Sequence, residues 1–184
     1  MVREVVQGAG EGDWRGFRDF YSLGGLESAL DMQWGVGVLL GEMSIEAKRD
    51  ALVEELAPFE DHFERFAYIV DRAKSNAPLP EEYKIDAFLI EGCLSRLWVY
   101  PEFKDGKCYF HTDSDAAITK GTSTLLCDLY SEESPEAIIA LEPDFLAEVG
   151  ITQHLSPNRR NGLTNVRKRI KAYAELCLKN AENQ

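Results

Sequence analysis

A short turn signal between two stretches of strand-forming residues most constrains the fold of this chain. β-Favouring residues recur between Ile85 and Asp113, and the sequence Lys104-Asp105-Gly106-Lys107 interrupts them. An Asp-Gly pair in such a setting is typical of a two-residue hairpin turn. The candidate strand residues are Phe88, Ile90, Leu97, Val99, Tyr109 and Phe110. We therefore predict a small antiparallel sheet in this part of the chain.

Helical patterns precede this sheet. Ser44 is predicted to cap a helix that runs from Ile45 to Leu56, and Pro58 ends it. A second helix follows, in which apolar residues recur every three or four positions and should form the buried face. These residues are Phe59, Phe63, Phe66, Val70 and Ala73.

Further helices are expected after the sheet. The segment 114–130 is apolar on more than one side, which predicts a helix buried across the sheet. Pro135 should start a short helix after Ser134, and 143–149 suggests another. A last helix is expected from about Arg159 to Lys179, with an apolar face formed by Leu163, Val166, Ile170, Tyr173 and Cys177. Helices flanking a small antiparallel sheet define an α+β fold.

The composition favours one folded unit with an appendage. The chain has 184 residues, of which 45% are hydrophobic, enough for a single core. Glycines are dense before Ser44, so we predict a partly ordered glycine-rich extension over 1–43, with a possible short helix at 26–40, and a folded domain over 44–184.

Charge and hydropathy exclude several classes of function. The formal net charge is −12, which disfavours nucleic acid and anionic lipid as partners because phosphate affinity depends on clustered Lys and Arg. No stretch reaches the roughly 20 apolar residues that span a bilayer. The acidic residues near the start fit neither a secretory signal nor a transit peptide. We expect a cytoplasmic protein with no membrane partner.

Four cysteines, Cys93, Cys108, Cys127 and Cys177, are spaced widely and irregularly. They form no CxxC pair and have no histidine at zinc-ligand spacing, so no metal site is predicted. In a reducing compartment they should be free thiols. Packing in the core is the better explanation for the last three, which lie on predicted apolar faces.

Cys93 lies at the junction of two predicted strands, directly after Gly92, which permits an unusual backbone conformation. At such a loop tip, free backbone N–H groups and Arg96 would favour the thiolate, and Ser95 would donate a further hydrogen bond. The alternative is that Cys93 is a small buried hydrophobic residue, as most free cysteines are. Spacing alone leaves both interpretations open.

Four segments in order resemble the SufE family of sulfur acceptors, which includes the CsdE proteins. They are Gly92-Cys93-Leu94-Ser95-Arg96-Leu97-Trp98, Asp113-Ser114-Asp115-Ala116-Ala117-Ile118-Thr119-Lys120-Gly121, Thr152-Gln153-His154-Leu155-Ser156-Pro157 and Arg159-Arg160-Asn161-Gly162-Leu163. The resemblance extends from about Ser44 to Ala174. Leu94 and Leu97 depart from the polar residue and the valine that the family commonly has there, and Arg96 lies between them.

The resemblance implies a fold similar to SufE and U-type cluster scaffolds, with Cys93 as the active cysteine and no cofactor. It implies that a PLP-dependent cysteine desulfurase of the SufS or CsdA type donates persulfide sulfur to Cys93. The acceptor would activate that enzyme and deliver sulfur to iron–sulfur cluster assembly, through a scaffold complex of the SufBCD type. Whether such a sulfur-transfer protein counts as an enzyme is left open.

The resemblance also implies partner-binding roles. Asp115 and Arg159 match positions that influence desulfurase docking, and we assign Ser95 and Arg96 to the same surface. For Asp115 an equal alternative is that it, or Asp113 or Ser114, caps the following helix. The many basic residues of the last helix form a local basic patch, for which a solvated helix face is the commoner explanation.

Two other functions remain as alternatives. One is an iron–sulfur scaffold, which would need several converging thiolates. The other is a module that binds a desulfurase without carrying sulfur. Only such a binding module should still activate the desulfurase after loss of the Cys93 thiol.

Overall fold

The computed structural model describes residues 43–142 and 145–182. The predicted extension over 1–43 and its possible helix at 26–40 lie outside the described residues, except for Met43. The fold is α+β, as predicted, with helices around a two-stranded antiparallel sheet. Within the described residues, no helix is both long enough and apolar enough to cross a membrane.

Two helices begin the fold and start at side-chain caps. In α1, Ile45–Leu56, the Ser44 hydroxyl accepts a hydrogen bond from the Ala47 N–H, which confirms the predicted cap. The next helix, α2, spans His62–Lys74, and the Asp61 carboxylate at its start accepts a hydrogen bond from the Phe63 N–H.

The predicted apolar face of α2 is partly wrong. Ile69 and Ala73 are its buried residues, whereas Phe63 is 72% exposed. The reason is that α2 meets the later helix over 117–130 around Ile69, so closely that a methyl group on Gly121 would lie 2.7 Å from an Ile69 side-chain carbon. Phe63 lies about 9 Å further back along the helix axis, beyond this crossing.

The hairpin matches its prediction. Strand β1, Leu97–Lys104, pairs antiparallel with β2, Lys107–Ser114. The two residues between them, Asp105 and Gly106, both have positive φ, as a tight hairpin turn requires.

The segment before β1 differs from its predicted strand structure. Glu81–Tyr83 and Asp86–Phe88 are 3₁₀ helices. Only Leu89 bridges to Trp98, and the Ile90 N–H donates to the Leu97 carbonyl at 2.7 Å. Cys93 therefore lies in a turn between a single bridge and β1 rather than between two full strands.

The remaining helices complete the core. Helix α3, Ala117–Tyr130, is buried on most sides and packs against β2 and α2. Short helices α4, Pro135–Ala140, and α5, Phe145–Glu148, follow, and a 3₁₀ turn spans Thr152–His154. Helix α6, Pro157–Glu182, packs on α3, α4 and β1. Its predicted apolar face is confirmed, since all five residues are buried.

Candidate functional site

The loop that carries Cys93 is shaped by the glycine before it. Gly92 has φ +79°, a conformation that side chains other than glycine rarely adopt. This turn places the Leu94 side chain in solvent, 88% exposed, while Cys93 points back towards the protein and is half-buried. The expected unusual backbone at Gly92 is confirmed.

Cys93 differs from the other three cysteines of the chain. Cys108, Cys127 and Cys177 are buried, as their predicted core positions require. Cys93 instead lines a cavity of about 310 Å³ that opens at the surface. Cys127 also lines a cavity, of about 400 Å³, but it is only 2% exposed. Cys93 is therefore the one thiol of the four that both lines a cavity and is partly exposed.

The cavity joins the cysteine loop to the start of α6. Its lining residues are Cys93, Leu94, Ser95, Ser156, Asn158 and Arg159. The first three follow Gly92, and the last three surround the first turn of α6. The structure thus brings together three of the predicted site residues, Cys93, Ser95 and Arg159, from segments more than 60 residues apart in the sequence.

The chemical environment of the thiol differs from the sequence-based expectation. Burial raises the pKa of the Cys93 thiol, so the protonated form is favoured near neutral pH. Arg96 does not offset this, because its guanidinium lies over the Trp98 ring at 5.3 Å from the centroid. The Ser95 hydroxyl is 3.4 Å from that of Thr119, within hydrogen-bond reach.

Asp115 holds the far end of the cysteine loop. Its carboxylate accepts a hydrogen bond from the Arg96 N–H at 3.0 Å, and its own N–H donates to the Arg96 carbonyl at 3.2 Å. The Ser114 hydroxyl donates to the same carbonyl at 2.7 Å. No side chain caps α3, whose N-cap is Ala116, so the capping alternative for Asp115 is wrong.

Arg159 stands apart from the other basic residues near it on α6. Arg160 donates to the Leu155 carbonyl, Arg167 pairs with Glu142, and Arg169 donates to the Ala87 carbonyl. Arg159 is exposed on the cavity and forms no ion pair with any other residue in 43–142 or 145–182. The basic patch is therefore largely structural, with Arg159 available to a ligand or partner.

Three residues of α6 contact the cysteine loop and had no predicted role. Gly162 lies against the Cys93 sulfur, Asn165 donates to the Glu91 carbonyl at 2.8 Å, and Arg169 donates to the Leu89 carbonyl at 3.2 Å. One signal existed in the sequence: a glycine inside a helical apolar pattern lowers helix stability and often marks a close approach.

The site residues offer no metal-binding cluster. Across 43–142 and 145–182, no three His, Cys, Asp or Glu side chains converge as metal ligands would. His154 stacks on His62 with ring centroids 4.1 Å apart and does not line the cavity.

Comparison with known proteins identifies the family. Residues 50–174 match the sequence profile described as "SufE: Fe-S metabolism associated domain". The chain belongs to the SufE family. The match includes Cys93 and the cavity residues, so the site described above lies within a SufE domain, and the family is associated with iron–sulfur metabolism.

A SufE-like relative and a solved structure agree with this assignment. The chain is 32% identical over 123 residues to an uncharacterised SufE-like protein of Synechocystis sp. (strain ATCC 27184 / PCC 6803 / Kazusa), covering 67% of this chain and 77% of the relative. The fold is similar to the solution structure of a hypothetical protein from Thermus thermophilus, with TM-score 0.60 and 22% identity. That match covers 72% of this chain and 96% of the other.

Proposed function

We propose that this SufE-family protein accepts sulfur from a PLP-dependent cysteine desulfurase, carries it as a persulfide on Cys93, and delivers it to iron–sulfur cluster assembly. The observation that carries the proposal is that Cys93, alone among the four thiols, is partly exposed on an open cavity. A desulfurase of the SufS or CsdA type is the proposed donor, and a scaffold complex of the SufBCD type is the proposed recipient. The proposed compartment is the cytoplasm, where free thiols persist.

The proposed reaction is an exchange between sulfur atoms. The Cys93 thiolate attacks the outer sulfur of the donor's cysteine persulfide, a new S–S bond forms on Cys93, and the donor's S–S bond breaks. The electron pair of the broken bond leaves with the donor cysteine as a thiolate, so there is no net oxidation or reduction. Such a reaction needs a positioned thiolate and no cofactor on the acceptor.

The cavity provides room for the product. A sulfur–sulfur bond extends about 2.05 Å from the cysteine sulfur. A cavity of about 310 Å³ beside Cys93 accommodates this one extra atom without displacing core residues. The exposed Arg159 guanidinium on the cavity wall offers a positive charge to a persulfide anion.

The half-buried resting position of the thiol suits a carrier. Because burial raises the pKa of Cys93, the free protein exposes little thiolate to oxidants or small thiols. Binding of the donor would have to bring the sulfur out of this environment for attack. We propose that Asp115, Arg159, Ser95 and Arg96 form part of the donor-binding surface around the loop.

The proposal is tested by measuring desulfurase turnover with free cysteine as substrate. Wild-type protein is expected to increase alanine production, because removal of the persulfide regenerates the donor thiol. Cys93→Ser, which keeps the side-chain size, should abolish the increase. Equal activation by Cys93→Ser would instead show a desulfurase-binding module that carries no sulfur.

A further inference from the structure

One face of helix α6 is built around the cysteine loop. Gly162, Asn165 and Arg169 follow one another at steps of three and four, so they lie on the same side of the helix. Arg169 donates to the Ala87 carbonyl at 2.7 Å and Asn165 to the Glu91 carbonyl at 2.8 Å. Helix α6 therefore contacts the segment that leads to Cys93 through the part of the helix between Gly162 and Arg169.

Gly162 leaves space for the Cys93 sulfur. A Cβ atom built on Gly162 would lie 1.9 Å from the Cys93 Sγ and 3.7 Å from its Cβ. Non-bonded heavy atoms pack at about 3.5–4.0 Å, so no side chain at 162 is compatible with this position of the thiol. A glycine inside a helix lowers its stability by about 1 kcal/mol relative to alanine, which makes its presence here informative.

Asn165 fixes the loop on the other side of the glycine turn. A Cβ atom on Gly92 would lie 2.9 Å from the Asn165 Nδ2, so the amide packs directly on the turn as well as binding the Glu91 carbonyl. The hydrogen bond and the sulfur contact act on residues two positions apart, Glu91 and Cys93. Together they hold the loop against α6.

We propose that Gly162 and Asn165 are positioning residues, which fix the place of the Cys93 sulfur against α6 and thereby set the reactivity of the thiol. For sulfur transfer the inference rests on the proposed function. The contact itself acts on thiol reactivity in the absence of any donor, which allows it to be tested separately. Neither residue takes part in bond making or breaking.

The test measures the rate at which iodoacetamide alkylates Cys93 in the full-length protein without desulfurase, across a range of pH. Gly162→Ala should expel the sulfur from its space, and Asn165→Asp should replace the donating amide with an acceptor of the same size that faces the Glu91 carbonyl. Both are expected to raise the rate at neutral pH by about tenfold, since each unit of lowered pKa gives a tenfold larger thiolate fraction. The midpoint of the pH profile should move to lower pH.

Thr164→Ala is the matched control. Thr164 is exposed on the same helix, and its hydroxyl donates within α6 to the Arg160 carbonyl rather than to the loop. Its rate should equal that of the wild type. Gly162→Ala places a better helix former in α6, so the substitution itself should not unfold the helix. An unchanged thermal unfolding temperature, with Cys108, Cys127 and Cys177 still not alkylated, would show that the fold is intact.

The results separate this inference from the proposed function. Wild-type alkylation rates in both Gly162→Ala and Asn165→Asp would overturn the positioning role, even if the wild-type protein accepts sulfur normally. Faster alkylation in both variants, combined with no sulfur transfer to the wild type, would support the positioning role and refute the proposed function.

Discussion

The carboxylate of Asp115 accepts a hydrogen bond from the backbone N–H of Arg96, three residues after Cys93. Asp115→Ala removes this bond and should lower the free energy of unfolding by about 1 kcal/mol. Asp115→Asn keeps an acceptor oxygen but loses the charge, so its stability should be close to that of the wild type. Urea unfolding of both variants measures the difference.

The same pair of variants separates the structural role of Asp115 from its proposed role in docking. If the charge contacts the desulfurase, Asp115→Asn should raise the concentration needed for half-maximal activation while leaving stability unchanged. Equal activation by wild type and Asp115→Asn would leave Asp115 with a purely structural role.

Arg159 should contribute to the productive encounter with the donor through its charge. Arg159→Gln is expected to raise the half-activating concentration by about tenfold, the effect of about 1.4 kcal/mol. Lys168→Gln is the matched control, because Lys168 is an exposed cation on α6 that does not line the cavity. A similar effect in both variants would indicate general electrostatic attraction instead of a specific contact.

Leu94 is expected to be buried by the donor. Complete burial of a leucine side chain contributes about 1.5–3 kcal/mol, and Leu94 is 88% exposed beside the thiol. Leu94→Ser should therefore weaken activation by at least about tenfold without changing the thermal unfolding temperature.

Phe103→Ser provides the comparison for Leu94→Ser. Phe103 is 44% exposed, but it lies near the other end of β1 from the cysteine loop. Its loss should not affect activation. If Leu94→Ser activates the desulfurase as well as the wild type does, the donor contacts the loop without using this side chain.

Asp113 should make stability depend on pH in the acid range. It is buried and lies 3.1 Å from both the Lys84 and Lys120 Nζ atoms. Burial alone would raise the pKa of Asp113, but the hydrogen bonds from Lys120 and Lys84 outweigh it and hold the pKa below its usual value of 3.8. Since the folded pKa is lower than the unfolded one, this stabilisation is present above about pH 4 and is lost as the pH falls below it.

Urea unfolding at pH 7, 4 and 3 tests this ion-pair cluster. Asp113→Asn should lower the free energy of unfolding at pH 7 by about 3 kcal/mol, because two lysines lose their partner, and should flatten the acid dependence. Glu54→Gln, a change at an exposed acid of α1, is the control. An Asp113→Asn protein with the wild-type pH dependence would contradict the assignment.

Local signals in the sequence predicted much of the fold. The Ser44 cap, the helix start at Pro135 and the Asp105-Gly106 turn depend on neighbouring residues, and the structure confirms them. The predicted strand around Phe88 failed for a non-local reason. The Ala87 and Leu89 carbonyls bond to Arg169, about 80 residues away, which supports a 3₁₀ turn and a single bridge instead.

The candidate site was predictable only in part for the same reason. Cys93 and Gly92 are adjacent in sequence, so their loop could be recognised from the motif. The contact between Cys93 and Gly162 depends on how α6 packs against the loop, so the glycine in the helical pattern could indicate a close approach but not that Cys93 is the partner. The raised pKa of Cys93 likewise follows from burial in the folded protein rather than from its neighbours in sequence.

The most direct test of the account is the mass of the peptide that contains Cys93 after incubation with a cysteine desulfurase, PLP and free cysteine. The account predicts that this peptide gains one sulfur atom, that a reductant removes it, and that the peptides containing Cys108, Cys127 and Cys177 are unchanged. An unmodified Cys93 peptide, obtained while the desulfurase itself carries persulfide, would contradict it.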